Sequence, residues 1–217
     1  MIQTDHDDHI VSEMRVDPIK YLSRADPRLG VVIKTVGKYS IKLRTDAFQS
    51  LVEAIIYQQL AGVAANVIYT RFMKYYNNMM PTPLDIVSTS DMELKSKVGL
   101  SSKKVLYLKD LATKIEEQKL KLDLLPTVSD EDVINQLIQV KGIGRWTAEM
   151  FLIFCLGRPD VLPVTDLGIR KAMHKIYSLS DLPMPAEMLA IAQPWKPHRT
   201  VATWYLWKSL SKFSTIG

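Results

Sequence analysis

Cysteine is nearly absent from this chain of 217 residues: Cys155 is the single one. One thiol cannot close an internal disulfide, complete a cysteine-rich zinc site or hold an iron–sulfur cluster. The chain therefore reads as intracellular. Long apolar runs are missing as well. Met150–Leu156 and Val201–Trp207 are the longest, and both fall far short of the ~20 residues that cross a bilayer. The first nine residues are polar and acidic, which is unlike a signal peptide. Period-2 alternation is rare, and there is no internal repeat or low-complexity linker. Asp5, His6, Asp7, Asp8 and His9 resemble a metal-binding cluster. They read as a polar tail, because nothing nearby would organise them.

What is present is a globular composition. Hydrophobic residues make up 47% and charged residues 24%, enough to build a sizeable core and to exclude wholesale disorder. The length suits one compact domain or two small lobes. Lys and Arg number 28 against 23 Asp and Glu, a net charge of +5. That surplus leans towards an anionic partner without naming one.

The periodicity is helical almost throughout. Phe48, Leu51, Val52 and Ile55 recur at helical spacing, as do Ala65, Ile68, Tyr69 and Phe72. Gln58-Gln59-Leu60-Ala61-Gly62 breaks the chain between those two helices, and Pro81-Thr82-Pro83 ends the second. A short helix begins near Asp91. Ser101 or Ser102 caps one through Lys103–Gln118. Ser129 and the acidic run Asp130–Asp132 open another that stops at Lys141-Gly142. The helix after Arg145 is apolar nearly all round, as befits the middle of a core. Thr165 or Asp166 caps a helix through Tyr177. A short helix over 186–192, a bend at Trp195-Lys196-Pro197 and a closing helix through Trp204 and Trp207 complete the chain. The expectation is an all-α protein of nine or ten helices, with short extended pieces possible within 31–44.

Two segments carry chemistry. In Val140-Lys141-Gly142-Ile143-Gly144-Arg145, two glycines bracket one apolar residue between two helices. Glycine allows a sharp turn and the close approach of a partner's backbone. The amides opening the second helix make an anion site that a phosphodiester fits without base reading. The same pattern also suits a tight helical hairpin with a glycine cap. In Leu162-Pro163-Val164-Thr165-Asp166, the aspartate is either a plain helix cap or a carboxylate exposed at a cleft.

Taken together, Gly142-Ile143-Gly144-Arg145-Trp146-Thr147-Ala148 and Leu162-Pro163-x-x-Asp166 resemble the helix-hairpin-helix/Gly-Pro-Asp superfamily of DNA glycosylases. Three further stretches are similar to its 3-methyladenine DNA glycosylase II family: Tyr57-Gln58-Gln59-Leu60-Ala61, Gly99-Leu100-Ser101-x-x-Lys104-x-x-Tyr107-Leu108, and Trp195-Lys196-Pro197-His198-Arg199. The likeness runs from about residue 45 to 210. Larger members carry an extra N-terminal β-lobe, for which this chain is too short.

The resemblance implies a two-lobed helical glycosylase fold with a cleft between the lobes. The central lobe spans 36–157 with its hairpin at 133–156, and residues 1–35 plus 158–217 form the second. It implies that Asp166 is the catalytic carboxylate. A base pocket is drawn from Tyr57, Trp146, Met150, Leu167 and Trp207. DNA contacts come from Gln58, Gln59, Leu60, Lys103, Lys104, Gly142, Ile143, Gly144, Arg145, Thr147, Arg170 and Lys171. Gln59 is the favoured wedge for the gap left by an extruded nucleotide, with Leu60 as the other candidate. A structural Na+ or K+ on the carbonyls of Ile138, Val140 and Ile143 is implied as an option, with no cofactor required.

Members that also cut the strand carry lysine where this chain has Trp146, and an indole forms no Schiff base. The implied function is thus a monofunctional enzyme acting as a monomer on double-stranded DNA. It would excise 3-methyladenine and 7-methylguanine in base excision repair, and the electron-rich indole would attract their cationic rings. Lys141 replaces a common proline, and Met150 and Leu167 stand where bacterial relatives have tyrosines, leaving a less aromatic pocket. The rival readings are a glycosylase for deaminated, etheno or oxidised purines, and a non-enzymatic helix-hairpin-helix binder of damaged DNA.

Overall fold

The computed structural model describes residues 17–213, with side chains to residue 210. The acidic cluster at residues 5–9 lies outside them. Every regular element among the described residues is helical. In chain order these are α1 (Pro18–Ala25), α2 (Pro27–Val36), α3 (Ala47–Tyr57), α4 (Gly62–Tyr75), α5 (Pro83–Ser88), α6 (Asp91–Glu93), α7 (Ser102–Glu116), α8 (Asp130–Leu137), α9 (Arg145–Phe154), α10 (Leu167–Tyr177), α11 (Pro185–Ile191) and α12 (Arg199–Phe213). A π-turn, Leu94–Val98, follows α6, and 3-10 turns lie at Leu122–Thr127 and Gln193–Trp195. These exceed the nine or ten elements that the periodicity suggested, because prolines and short caps subdivide the chain more finely. Val31, Val32 and Ile33 are not extended: they lie within α2, which runs on to a positive-φ glycine at position 37. The helix before Pro81 ends earlier than expected, at Tyr75, where Asn77 and Asn78 turn with positive φ.

The chain divides into two compact units. One spans Lys42–Arg158, and the other joins the segment up to Ile41 with the segment from Pro159 onward. In the first, α5 packs on α7, α3 on α4 and α8 on α9. Leu51, Ile55, Ile56, Phe72, Leu108, Leu111, Leu137 and Ile153 are fully buried there. Burying each such side chain contributes roughly 1.5–3 kcal/mol.

In the second unit, α10 and α2 pack on α12, and α1 packs on α2. Its core holds Leu22, Leu29, Ile169, Met173, Trp195, Tyr205 and Leu206. Trp195 is 0% exposed and its indole N–H needs a partner. Asp26 provides it: one carboxylate oxygen accepts from Trp195 Nε1 at 2.9 Å and from the Tyr177 hydroxyl at 2.5 Å. The other accepts the Leu29 amide and so caps α2. Burial and the Asp26 carboxylate drive the Tyr177 hydroxyl far above the usual phenol range.

Arg199 and Asp160 lock the chain just ahead of α10. Arg199 Nε and one terminal nitrogen donate to the two carboxylate oxygens at 2.7 and 2.8 Å. The Thr200 hydroxyl accepts the Val161 amide, and the Thr203 hydroxyl donates to the Val161 carbonyl. One face of α12 thereby fixes the stretch that delivers Asp166.

Candidate active site

Asp166 is the N-cap of α10. Its Oδ1 accepts the Ile169 amide at 2.8 Å and Trp207 Nε1 at 3.1 Å. The first bond is an ordinary cap. The second is not local, since it ties the carboxylate to the middle of α12. A cap aspartate alone needs no such partner. Gly168 allows the arrangement, because a Cβ there would stand 3.0 Å from Asp166 Oδ1 and 3.4 Å from Trp207 Cδ1. The carboxylate is half-buried, and Leu167 beside it is exposed. On the same helix, Arg170 donates Nε to the Pro183 carbonyl at 3.0 Å. Lys171 is exposed to solvent.

The hairpin belongs to the other unit. α8 ends at Leu137, the Ile143 amide closes the turn on the Val140 carbonyl at 3.0 Å, and Gly144 precedes α9. Gly142 has φ +82°, and a Cβ there would fall 2.2–2.5 Å from the Tyr107 ring. Both facts demand glycine. Gly144 has neither constraint: its φ is −96°, and the space around it is open. Ile143 is buried and anchors the turn. No side chain caps the first turn of α9, and a helix opening of this kind favours an anion.

The cations of this surface divide sharply. Lys103 and Lys141 are exposed. Lys104 turns inward and donates to the Ile56 carbonyl at the end of α3, where burial lowers the affinity of its amine for a proton. Arg145 is engaged bidentately by Glu131 at 2.9 and 2.8 Å and also touches Glu149. Thr147 is buried. The Lys141 amide donates to Asp110 at 2.9 Å. Burial works to raise the Asp110 carboxyl, but bonds from Lys114 and from that amide outweigh it and hold the group below its ordinary range.

The Gln-Gln turn is tied to the hairpin: Gln58 Nε2 donates to the Gly142 carbonyl at 2.8 Å. Gln59 and Leu60 are exposed at the tip, with Gln59 at φ +57°. That division of labour was not legible in the pair of glutamines.

A cavity of about 790 Å³ opens between α3 and α9 within this unit. Tyr57 and Met150, both predicted pocket residues, line it, as does Thr147. Trp146, one step along α9, is 45% exposed. Leu43, Ala54, Phe151 and Phe154 form apolar walls, while Arg44, Gln49 and Glu53 form a polar one. Sequence reading missed that polar wall. The signal was a lone glutamate, Glu53, set among the apolar residues of α3. Among the described residues, no group of three His, Cys, Asp or Glu could hold a metal, and no helix is long and apolar enough to cross a membrane.

A family model described as HhH-GPD superfamily base excision DNA repair protein matches residues 52–197. A DNA-3-methyladenine glycosylase of Schizosaccharomyces pombe is 37% identical over 202 residues, covering 87% of this chain and 85% of the relative. A crystal structure of a DNA-3-methyladenine glycosidase from Bacillus halodurans superposes with a TM-score of 0.85 at 32% identity, covering 93% of each chain. The S. pombe 3-methyladenine DNA glycosylase in complex with abasic DNA superposes at 0.80 with 35% identity, covering 93% of this chain and 100% of that one. By sequence, fold and hairpin, the chain belongs to the HhH-GPD superfamily of base excision DNA repair proteins.

Proposed function

We propose that this protein is a monofunctional DNA glycosylase that excises alkylated purines, 3-methyladenine and 7-methylguanine foremost, from duplex DNA. The observation that carries the reading is the Asp166 carboxylate, fixed by the α10 backbone and by Trp207 Nε1. Breaking an N-glycosidic bond leaves positive charge on the sugar, and a positioned carboxylate stabilises it. The bonding electrons leave with the base. Water then adds at the sugar carbon, and Asp166 orients it or takes its proton. A base methylated at N3 or N7 is already cationic and departs neutral, so no general acid is required.

The base must first leave the helical stack. Gly142, Ile143 and Gly144 would hold the phosphodiester backbone, with the exposed Lys103 and Lys141 adding charge. Gln59 or Leu60 at the exposed tip would fill the gap. The hairpin suits a monovalent cation in donor type: the carbonyls of Ile138, Val140 and Ile143 are hard oxygen ligands, and the bond Val140 accepts from Ile143 leaves it a second lone pair. Such an ion would help hold a phosphate. The names of the S. pombe and B. halodurans proteins support the alkylated-purine reading. Trp146 at the position of a strand-cutting lysine supports a hydrolytic enzyme without lyase activity.

The test is base release from methylated duplex DNA, with the freed bases identified by chromatography and the strand scored with and without alkali. Release of 3-methyladenine with cleavage only after alkali is expected. Cleavage without alkali would overturn the monofunctional assignment.

A further inference from the structure

We infer that Glu53 and Gln49 form an acceptor wall that reads N–H donors on the pairing edge of the extruded purine. The inference rests on the glycosylase reading above and deepens it. It begins with the α3–α9 cavity, whose volume of about 790 Å³ lies within the ~300–1,000 Å³ usual for small-molecule sites. Tyr57, Met150 and Phe154 give that cavity the apolar and aromatic faces that suit a flat ring.

The polar wall is organised. Gln49 Nε2 donates to Glu53 Oε1 and to the Tyr69 hydroxyl, each at 3.0 Å. Burial and the neighbouring Glu53 carboxylate push the Tyr69 hydroxyl up to about 12. Arg44 pairs with the other oxygen, Glu53 Oε2. Both amide hydrogens of Gln49 are thus spent, and what it has left to offer a ligand is its carbonyl. The Glu53 side chain is 17% exposed, and a carboxylate has about four acceptor sites, so accepting room remains after these bonds. Arg44 offsets the charge, which removes the cost of an isolated anion in a half-buried site. The network fixes the rotamers of both acceptors before any ligand arrives.

The matching ligand is a purine with N–H donors. 7-Methylguanine offers a ring N–H and an exocyclic amine on that edge, and 3-methyladenine offers its amine. A site built on hydrogen bonds discriminates strongly, because a mismatched ligand leaves its buried acceptors unpaired. Glu53 and Gln49 are therefore specificity residues, distinct from the carboxylate at position 166.

The experiment uses the full chain and two duplexes, one carrying a single 7-methylguanine and one carrying an abasic site. Single-turnover release and abasic-duplex affinity are measured for the wild type, Glu53→Gln, Glu53→Asp and Gln49→Leu. Release by Glu53→Gln is expected to fall roughly tenfold to a hundredfold, with Glu53→Asp recovering part of the loss. Affinity for the abasic duplex, which presents no base, should stay within twofold. Gln49→Leu should show the same split, and it carries the test should Glu53→Gln fail to fold. Release within threefold of wild type in both variants would overturn the inference. So would a parallel loss of abasic-duplex affinity, which would mark the wall as structural. Absence of release by the wild type would instead bring down the glycosylase reading, and this inference with it.

Discussion

Replacing Gly142 by alanine probes the hairpin more sharply than any other single change. Two separate obstacles meet the new methyl group. The backbone stands at φ +82°, where an L-residue costs roughly 1–2 kcal/mol. The methyl would also lie 2.2–2.5 Å from three atoms of the Tyr107 ring. That ring must move, and overpacking of this kind costs typically ~1–3 kcal/mol. The two effects together should destabilise the protein by about 2–5 kcal/mol. For a chain of this length the loss lowers Tm by on the order of 5–15 °C. Thermal unfolding followed by circular dichroism measures it. Gly144→Ala is the internal control: its φ of −96° is ordinary and nothing lies within 4 Å, so its stability should change by less than ~1 kcal/mol. Gly142→Ala in a Tyr107→Ala background should recover the steric part and leave the conformational part. Equal Tm values for the two single glycine variants would mean that neither the backbone angle nor the Tyr107 ring requires glycine at position 142.

Three more outcomes follow from the contacts described. Asp26→Ala leaves Trp195 Nε1, the Tyr177 hydroxyl and the Leu29 amide without their acceptor, and chemical denaturation should show a loss of about 3 kcal/mol or more. Asp110 has a depressed carboxyl pKa in the folded state, so its contribution is present above the unfolded value near ~3.9 and is lost as pH falls through the folded one; Asp110→Asn should be less stable than wild type at pH 7, and the gap should narrow as pH falls below the unfolded value. Trp207→Phe removes the Nε1 donor to Asp166 while keeping an aromatic ring, and base release should slow roughly tenfold or more, since hydrogen bonds to charged groups are worth ~1.5–3 kcal/mol.

Much of the fold was legible because helical spacing and caps are local signals. Ser101, Ser129 and Asp166 cap the helices that follow them. The glycine pattern at 142–144 announced a hairpin because a backbone at φ +82° favours glycine, whereas the approach of Tyr107 that reinforces it comes from far along the chain. Val31–Ile33 misled because a short β-branched run favours strands in isolation, whereas Pro27 at the first turn and the Asp26 cap commit the segment to α2.

The site was legible only in part, because side-chain pairing is not a local property. Nothing in a run of basic residues separates Lys103, which faces solvent, from Lys104, which seeks the Ile56 carbonyl. Nothing near Arg145 in the sequence signals that Glu131, fourteen positions earlier, pairs with it. The Arg44–Glu53–Gln49–Tyr69 network joins residues up to twenty-odd positions apart, from the segment before α3, α3 itself and α4. No period or motif marks it.

Asp166 is the carboxylate proposed to drive base excision. The most direct test compares wild type with Asp166→Asn on duplex DNA bearing 7-methylguanine, recording both base release and affinity for the duplex. Asparagine keeps an oxygen to accept from Ile169 and Trp207, so folding and DNA binding should persist. Loss of release by a factor of a hundred or more, on the order of the electrostatic contribution of one catalytic group, with affinity within a few fold, is the expected result. Release by the Asn variant at the wild-type rate would rule out Asp166 as the catalytic carboxylate.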